Sequence, residues 1–408
     1  MEVVVVVGAG LDVHKKRVVA CCIDGQSNPP KIVTRTFGTF RDELERLREW
    51  LIRQQCTHVA MESTGVYWMP VYRVLEGAVQ IILGNARHMT NVPGRKTDMS
   101  DAQWIAKLLR HGLIQPNFVP PAAIRQLRQT TRYRRKLIET RSASQLRVEK
   151  LLQTANIKLS SVASDVFGVS GRLMLKALAS GRTDPVKLAH LAKGTLRKKY
   201  AELTRALRGH FGTDDARLLR VELQVIDGLD VQLARLETLI EKQIAPFADY
   251  VDLLDTVPGI NRTLATELIA EIGTDMSAWP SDGHFAAWTG TCPGNRESAG
   301  IRRRAPTRDG NPYVRSVLIQ GALCASQTVT SHLAARYRRL KARRGWQRAV
   351  VAVAHEIAVA VYHMIRNKQP YRAPKPTDLA VVRTQRSKRL IRELKQLGYE
   401  VTCTPFSS

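Results

Sequence analysis

Val3-Val4-Val5-Val6-Val7 followed by Gly8-Ala9-Gly10-Leu11-Asp12 is the stretch on which the fold turns. A β-branched run of this kind suits a strand buried on both faces, and here it leads to a carboxylate. His14-Lys15-Lys16 makes a turn, and Arg17–Asp24 returns as a second strand. Gly8-x-Gly10 invites a dinucleotide-binding reading, but Val13 occupies the place of the third glycine, which sets that reading aside. Working outward, 31–40 reads as a third strand. Residues 42–54 have helical spacing, with Leu44, Leu47, Trp50 and Leu51 on one face. Residues 57–62 form another short strand, ending on Glu62; Ser63-Thr64-Gly65 opens a helix, and 79–83 is a further strand. Strands alternating with helices predict an α/β layer with a mixed sheet.

The chain has 408 residues, 44% of them apolar, enough for two or three domains with their own cores. Its 63 Lys and Arg against 36 Asp and Glu give a net charge of +27 and a pI near 10.3. Such a charge points to a polyanionic partner, nucleic acid ahead of an anionic membrane, because neutralising phosphates releases counterions. Residues 1–120 carry a net +4, 121–330 a net +10 and 331–408 a net +13. The N-terminal acids are thus available for chemistry while the later parts grip the polyanion. Six cysteines form no Cys-x-x-Cys pair, which suggests neither a disulfide framework nor a zinc site and fits a reducing cytosol. The valine run is too short for a signal peptide and lacks a basic flank. Residues 349–365 are apolar but interrupted by His355, Glu356 and His363, and read as a core helix rather than a membrane span. A cytoplasmic protein is expected.

Further along, Ile105, Leu108 and Leu109 mark a helix starting near Asp98. Asp98 and Asp101 then share one face of its first turn, where the helix dipole favours negative charge and Asp98 could equally be a cap. Pro116, Pro120 and Pro121 mark a boundary. Residues 122–156 read as a basic helix exposing Arg132, Arg134, Arg135 and Lys136, and 196–244 as a second amphipathic helix. Together they suggest an antiparallel or intermolecular coiled coil serving as strut or dimer interface. Residues 253–265 resemble a helix-hairpin-helix whose Val257-Pro258-Gly259-Ile260 turn could aim backbone N–H groups at a phosphate. Residues 290–300 then place Ser298 in a loop, followed by Arg302, Arg303 and Arg304 as phosphate-gripping groups. The expected divisions are 1–120, 121–248, 249–370 and a basic extension, 371–408. The fold class is α/β followed by all-α.

Bringing Asp12, Glu62, Asp98 and Asp101 together without a cation would be costly, since close carboxylates raise one another's pKa. Hard divalent ions such as Mg2+ prefer oxygen ligands, and a pair of them can stabilise both oxygens of a phosphodiester displacement. Two strand acids and a helical acid pair on a β-rich layer resemble the ribonuclease H-like fold of RuvC-type nucleases.

Four motifs in order, Gly10-Leu11-Asp12-Val13-His14-Lys15, Met61-Glu62-Ser63-Thr64-Gly65, Lys96-Thr97-Asp98-Met99-Ser100-Asp101-Ala102, and Ser298-Ala299-Gly300 with Arg308-Asp309-Gly310-Asn311 and Arg315, resemble the DEDD-type transposases of the insertion sequence 110 family, the bridge-RNA-guided recombinases. The resemblance spans about residues 5–370. It implies a RuvC-like domain in which Asp12, Glu62, Asp98 and Asp101 bind Mg2+, and a C-terminal transposase domain in which Ser298 is the nucleophile of a phosphoserine intermediate. It also implies an active site composed across subunits, a structured guide RNA pairing with donor and target DNA, and dimers assembling to a tetramer. Arg308, Asn311 and Arg315 belong to the motif and are expected at the nucleic acid. A metal-dependent structure-selective nuclease without a covalent step, and a non-enzymatic nucleic-acid-binding protein, are the alternatives left by the residues alone.

Overall fold

A computed structural model describes residues 3–63, 65–85, 89, 100–294, 296–298, 300–303, 305–328 and 331–373, with scattered positions between 387 and 401; 296–298 and 301–303 are described by their backbone. The chain divides into two compact units, Met1–Val119 and Pro120–Ser408.

The first unit is a five-stranded mixed sheet with helices on both faces. Its strands are β1 (Val7–Val13), β2 (Arg17–Asp24), β3 (Lys31–Gly38), β4 (His58–Glu62) and β5 (Gln80–Gly84), in the order β3-β2-β1-β4-β5. β1, β4 and β5 run parallel, and β2 is antiparallel to both of its neighbours. On one face Ala9 and Leu11 pack with Leu44, Leu47 and Leu51 of α1 (Arg41–Arg53) and with Val71 and Leu75 of α2 (Trp68–Leu75). On the other face lies α3 (Asp101–Arg110).

The valine run is not the central strand. Val4 is 68% exposed and Val6 is half exposed, and β1 begins only at Val7, so its centre is Gly8-Ala9-Gly10-Leu11. The reason is the distance of α3 from the sheet. A Cβ on Gly10 would lie 2.2 Å from the Ala102 carbonyl oxygen and 2.3 Å from the Ala106 nitrogen, so the helix backbone rests directly on the strand. Valines at 8 and 10 would hold that helix off.

In the second unit, α4 (Ala122–Thr154) and α8 (Thr213–Ile244) lie side by side. Ion pairs Arg134–Glu237, Arg141–Asp230 and Arg147–Glu222 step in opposite directions along the two helices, so the pair is antiparallel. The helix expected over 196–244 is broken, and α8 starts after Gly212. α5 (Val169–Ala179), α6 (Pro185–Ala189) and α7 (Tyr200–Ala206) cap one end of the pair around Val148, Leu152, Leu175, Leu203 and Leu219. The C-terminal helices are α9 (Ala248–Asp255), α10 (Arg262–Ile272), α11 (Asp282–Trp288), α12 (Pro312–Gln327), α13 (His332–Arg344) and α14 (Trp346–Asn367). α9, α11, α12 and α13 pack against α14, whose Val353, Ile357, Ala358, Val361 and Ile365 are buried, and α10 packs on α9, α12 and the long α4. Among the described residues α14 is the one helix long and apolar enough to cross a membrane; here it is the core of a helical module.

Gly10→Ala is expected to lower the stability of the first unit by about 1–3 kcal/mol, the cost of forcing extra atoms into a closed contact. Urea unfolding followed by circular dichroism measures it, with Gly77→Ala, at a positive-φ glycine that has no neighbour within 4 Å, compared to separate backbone strain from crowding.

Candidate functional site

The strand register brings two acids together. Leu11 pairs with Met61 across the parallel β1–β4 contact, so Asp12 and Glu62 follow side by side at the C-terminal ends of these strands. Alternation then decides their direction. Gly8 and Gly10 face α3, and so does Val19, the partner of Asp12 across β2, with Cys21 and Ile23. Ala60 packs with Ile105 and Leu108 of α3, so Glu62, two residues on, lies on the same face. α3 runs against β1: Gly8 lies under Leu109 and Gly10 under Ala102 to Ala106. The N-terminus of α3, with Asp101, therefore sits toward the Asp12 end. Asp12, Glu62 and Asp101 share one face at one end of the sheet. Asp98 lies outside the described residues. Ser100 is the helix cap, its Oγ accepting from Gln103 N at 3.3 Å, and Asp101 follows it in the first turn.

Asp12 Oδ2 accepts a hydrogen bond from His14 Nε2 at 2.9 Å. Among the described residues no three His, Cys, Asp or Glu groups form a ready metal cluster. The donor set at this end of the sheet consists of carboxylate oxygens, which suits a hard divalent cation better than a zinc- or copper-type ion.

Ser298, expected in a loop, is the last residue of β6 (Arg296–Ser298), which pairs antiparallel with β7 (Ile301–Arg303). Ser298 pairs with Ile301, and Gly300, between them in sequence, has a positive φ (74°) of the kind tight hairpin connections use. Arg302 and Arg303 lie on β7, opposite Glu297 and Arg296, and Arg304 lies outside the described residues. The base of the hairpin is pinned. Pro293 pairs with Thr307, Gly294 N donates to Pro306 O, and Asn311 N donates to Trp288 O. Gly290 and Gly310 cross so closely that a Cβ on Gly310 would lie 2.3 Å from Gly290 N. Trp288 belongs to an aromatic group with Trp279 and Phe285, so the hairpin rises from a rigid floor.

Below the hairpin is a buried ionic cluster that the sequence did not reveal. Glu271 of α10 has a side chain 4% exposed. It accepts from Arg132 Nε and Nη2 at 2.7 and 2.8 Å and from Asn311 Nδ2 at 3.0 Å. Arg128 lies 3.6 Å away and donates to the Ala270 and Glu271 carbonyls. Burial pulls the Arg128 guanidinium down to about 10, a fall opposed by Glu271. Arg132 also stacks 4.0 Å over the Tyr313 ring. Burial likewise pushes the neighbouring Glu267 carboxyl above its usual range, against the pull of Arg134 and Arg135.

Several residues expected at the nucleic acid are engaged within the protein. Arg132, Arg134 and Arg135 are not an exposed basic row: Arg134 pairs with Glu237 and Glu267, and Arg135 donates to Ser316 Oγ at 2.8 Å. Asn311 has both ends of its amide occupied, Nδ2 on Glu271 and Oδ1 capping α12 at Tyr313 N. Lys136 does point outward, bonded to Glu139 at 2.7 Å. Gly259, with φ 91°, lies against α12, where a Cβ would be 2.3 Å from the Gly321 carbonyl oxygen. Arg308 is exposed and Arg315 half-buried, leaving these two nearer to solvent beside the hairpin.

Cys292, at the hairpin base, has its Sγ 3.7 Å from Nδ1 of His355 on α14. Burial pushes the thiol up and the imidazole down, the latter with help from Arg336. Both shifts favour the neutral forms, so this pair packs the hairpin against α14 and is poorly suited to nucleophilic attack.

Residues 9–157 match a DEDD-type IS110 family described as Transposase, and residues 251–338 match one described as Transposase IS116/IS110/IS902 family. The first span contains Asp12, Glu62, Asp98 and Asp101, the second Ser298. Together they cover more than half of the chain, which belongs to the IS110 family of transposases, enzymes that cut and rejoin DNA. No curated protein matched the chain.

Glu271→Ala would leave two guanidiniums facing a buried void and is expected to cost about 3–5 kcal/mol of stability. Glu237→Ala, at the half-exposed Arg134 pair, is expected to cost about 1 kcal/mol or less. Chemical denaturation of the two variants side by side tests the contrast.

Proposed function

We propose that this transposase joins donor and target DNA through a phosphoserine formed on Ser298, with Asp12, Glu62, Asp98 and Asp101 as the ligands of Mg2+ in a RuvC-like domain. The observation that supports the proposal is that Asp12, Glu62 and Asp101 lie on one face at one end of the sheet, in a chain whose second matched segment ends a β-strand on Ser298. The strand order β3-β2-β1-β4-β5, with β2 alone reversed, supports the ribonuclease H-like reading.

The divalent ion, when bound, would polarise the phosphodiester oxygens and favour ionisation of an attacking hydroxyl. The four carboxylates would hold it. The Ser298 oxygen attacks phosphorus, its proton passes to solvent or a nearby base, and the P–O bond to the leaving strand breaks as that oxygen takes up a proton. Attack by a strand hydroxyl on the same phosphorus restores the serine and joins the new strand. Arg302, Arg303, Arg304, Arg308 and Arg315 would neutralise phosphates beside the scissile bond, and the pinned hairpin base limits how far Ser298 must be repositioned.

The finer assembly follows from the resemblance. Residues 249–370 act as the transposase domain, the antiparallel helices of 121–248 as a coiled-coil dimerisation element, and 371–408 as a basic extension. Dimers assemble to a tetramer that joins carboxylates and serine from different subunits. A structured guide RNA pairs with donor and target DNA and supplies sequence choice, while the protein reads backbone and shape.

Ser298→Ala is expected to abolish strand cutting and the covalent protein–DNA adduct, each by at least about a thousandfold, as for loss of an essential nucleophile. Asp12→Ala or chelation of divalent ions is expected to do the same. Labelled DNA incubated with the protein and its co-purified RNA, then resolved under denaturing conditions, reads both. Cutting that survives Ser298→Ala would replace the recombinase with a structure-selective nuclease.

A further inference from the structure

From Gly310 to His355 the chain contains no acidic residue. Within that span α13 and α14 lie side by side, joined by Gly345 alone, which reverses the chain at φ 80°. Their inner ends are fastened: Leu333 and Ala334 are buried, and Arg336 pairs with Glu356 at 2.6 Å. Their outer ends are not. Every residue from 341 to 348 is exposed, and Arg339, Arg343, Arg344 and Arg348 have no carboxylate partner among the described residues. Trp346 stands among them, 54% exposed, with no aromatic neighbour among the described residues.

An exposed indole costs hydrophobic free energy that a buried one would not, and a cationic surround does not relieve it. Phosphates suit the cations and a base suits the ring, but a base face is accessible only where the strand is unpaired. The finger belongs to the helical module that carries the Ser298 hairpin. His355 of α14 touches Cys292 at the hairpin base, and Trp346 lies nine residues earlier on the same helix, about 13 Å along its axis. That span is about four nucleotides of a stacked strand, at the 3.4 Å spacing of each. Cutting DNA at the hairpin releases an unpaired strand at this range.

We infer that the α13–α14 finger holds the unpaired DNA strand next to the cut, with Trp346 stacking on a base and Arg339, Arg343, Arg344 and Arg348 on its phosphates. The inference rests on the reading that the Ser298 hairpin is where strands are cut, since that reading makes DNA the occupant rather than RNA. The finger explains how a strand end stays near its phosphoserine while partners exchange.

The test measures binding of the full-length protein to a labelled single-stranded oligodeoxynucleotide, its duplex and the RNA of the same sequence. Trp346→Ala is expected to weaken single-stranded DNA binding about 5- to 150-fold, the range for loss of one stacked base, and to leave duplex affinity unchanged. Trp346→Leu, which keeps apolar bulk, is expected to match Trp346→Ala, and Trp346→Phe to retain most of the affinity. A paired Arg343→Ala, Arg344→Ala variant is expected to weaken both DNA forms and flatten the salt dependence. Equal loss on duplex and single strand, no loss on single-stranded DNA, or loss confined to RNA would overturn the inference. Ser298→Ala, assayed in parallel for cutting and for single-strand binding, separates the two readings: unimpaired cutting there sinks the phosphoserine, and an unaffected Trp346→Ala sinks the finger.

Discussion

A carboxylate as enclosed as that of Glu271 has to be neutralised where it stands, because water is not there to do it. Arg132 meets it with two parallel hydrogen bonds, Arg128 adds a second positive charge, and Asn311 supplies a neutral donor. The partners come from two separate parts of the second unit: both arginines from the long helix Ala122–Thr154, Asn311 from the cap of Pro312–Gln327. Asn311 is also the foot of the hairpin, through its backbone bond to Trp288. One buried charge thereby fixes the register between the long helix and the strand that ends on Ser298. Such a cluster contributes little net stability over an apolar replacement, but it tolerates few alternative arrangements.

The first unit depends on a steric constraint rather than an electrostatic one. A glycine at position 10 lets a helix backbone lie on the central strand, and the same approach places the helix N-terminus toward the end of the strand that carries Asp12. Bulk at Gly10 would separate Asp101 from Asp12 as well as loosen the core. Placement of the acids and closeness of packing are thus one feature.

Much of this was legible in the chain. Alternating strands and helices announced the mixed sheet, and the motif acids fell at strand ends and a helix start because those positions follow from apolar periodicity. The valine run misled, since β-propensity names residues that fit a pleated surface and cannot show how near a helix will come. The row Arg132-Tyr133-Arg134-Arg135-Lys136 misled for a related reason: a charge pattern on one helix does not say which carboxylates face it. The signal for those was Glu271 itself, which lies on the same helical face as Leu264 and Leu268, an acid in an apolar stripe that has to find cations. Ser298 read as a loop residue because three-residue strands carry too little pattern to register.

The net charge of +27 therefore overstates the field that a polyanion meets. Cations on the long helices are largely answered by acids of the neighbouring helix, through Glu222, Asp230, Glu237 and Glu271. Cations on the finger around Gly345 lie in a stretch, Gly310 to His355, that contains no acidic residue. The unanswered charge is thus concentrated on a short, solvent-surrounded element whose inner end is bonded to the Glu356 carboxylate and whose neighbour touches the hairpin base. A polyanion is drawn by charge that is both uncompensated and exposed, and by that measure the attraction is strongest close to the serine rather than along the helices that carry the larger count of arginines.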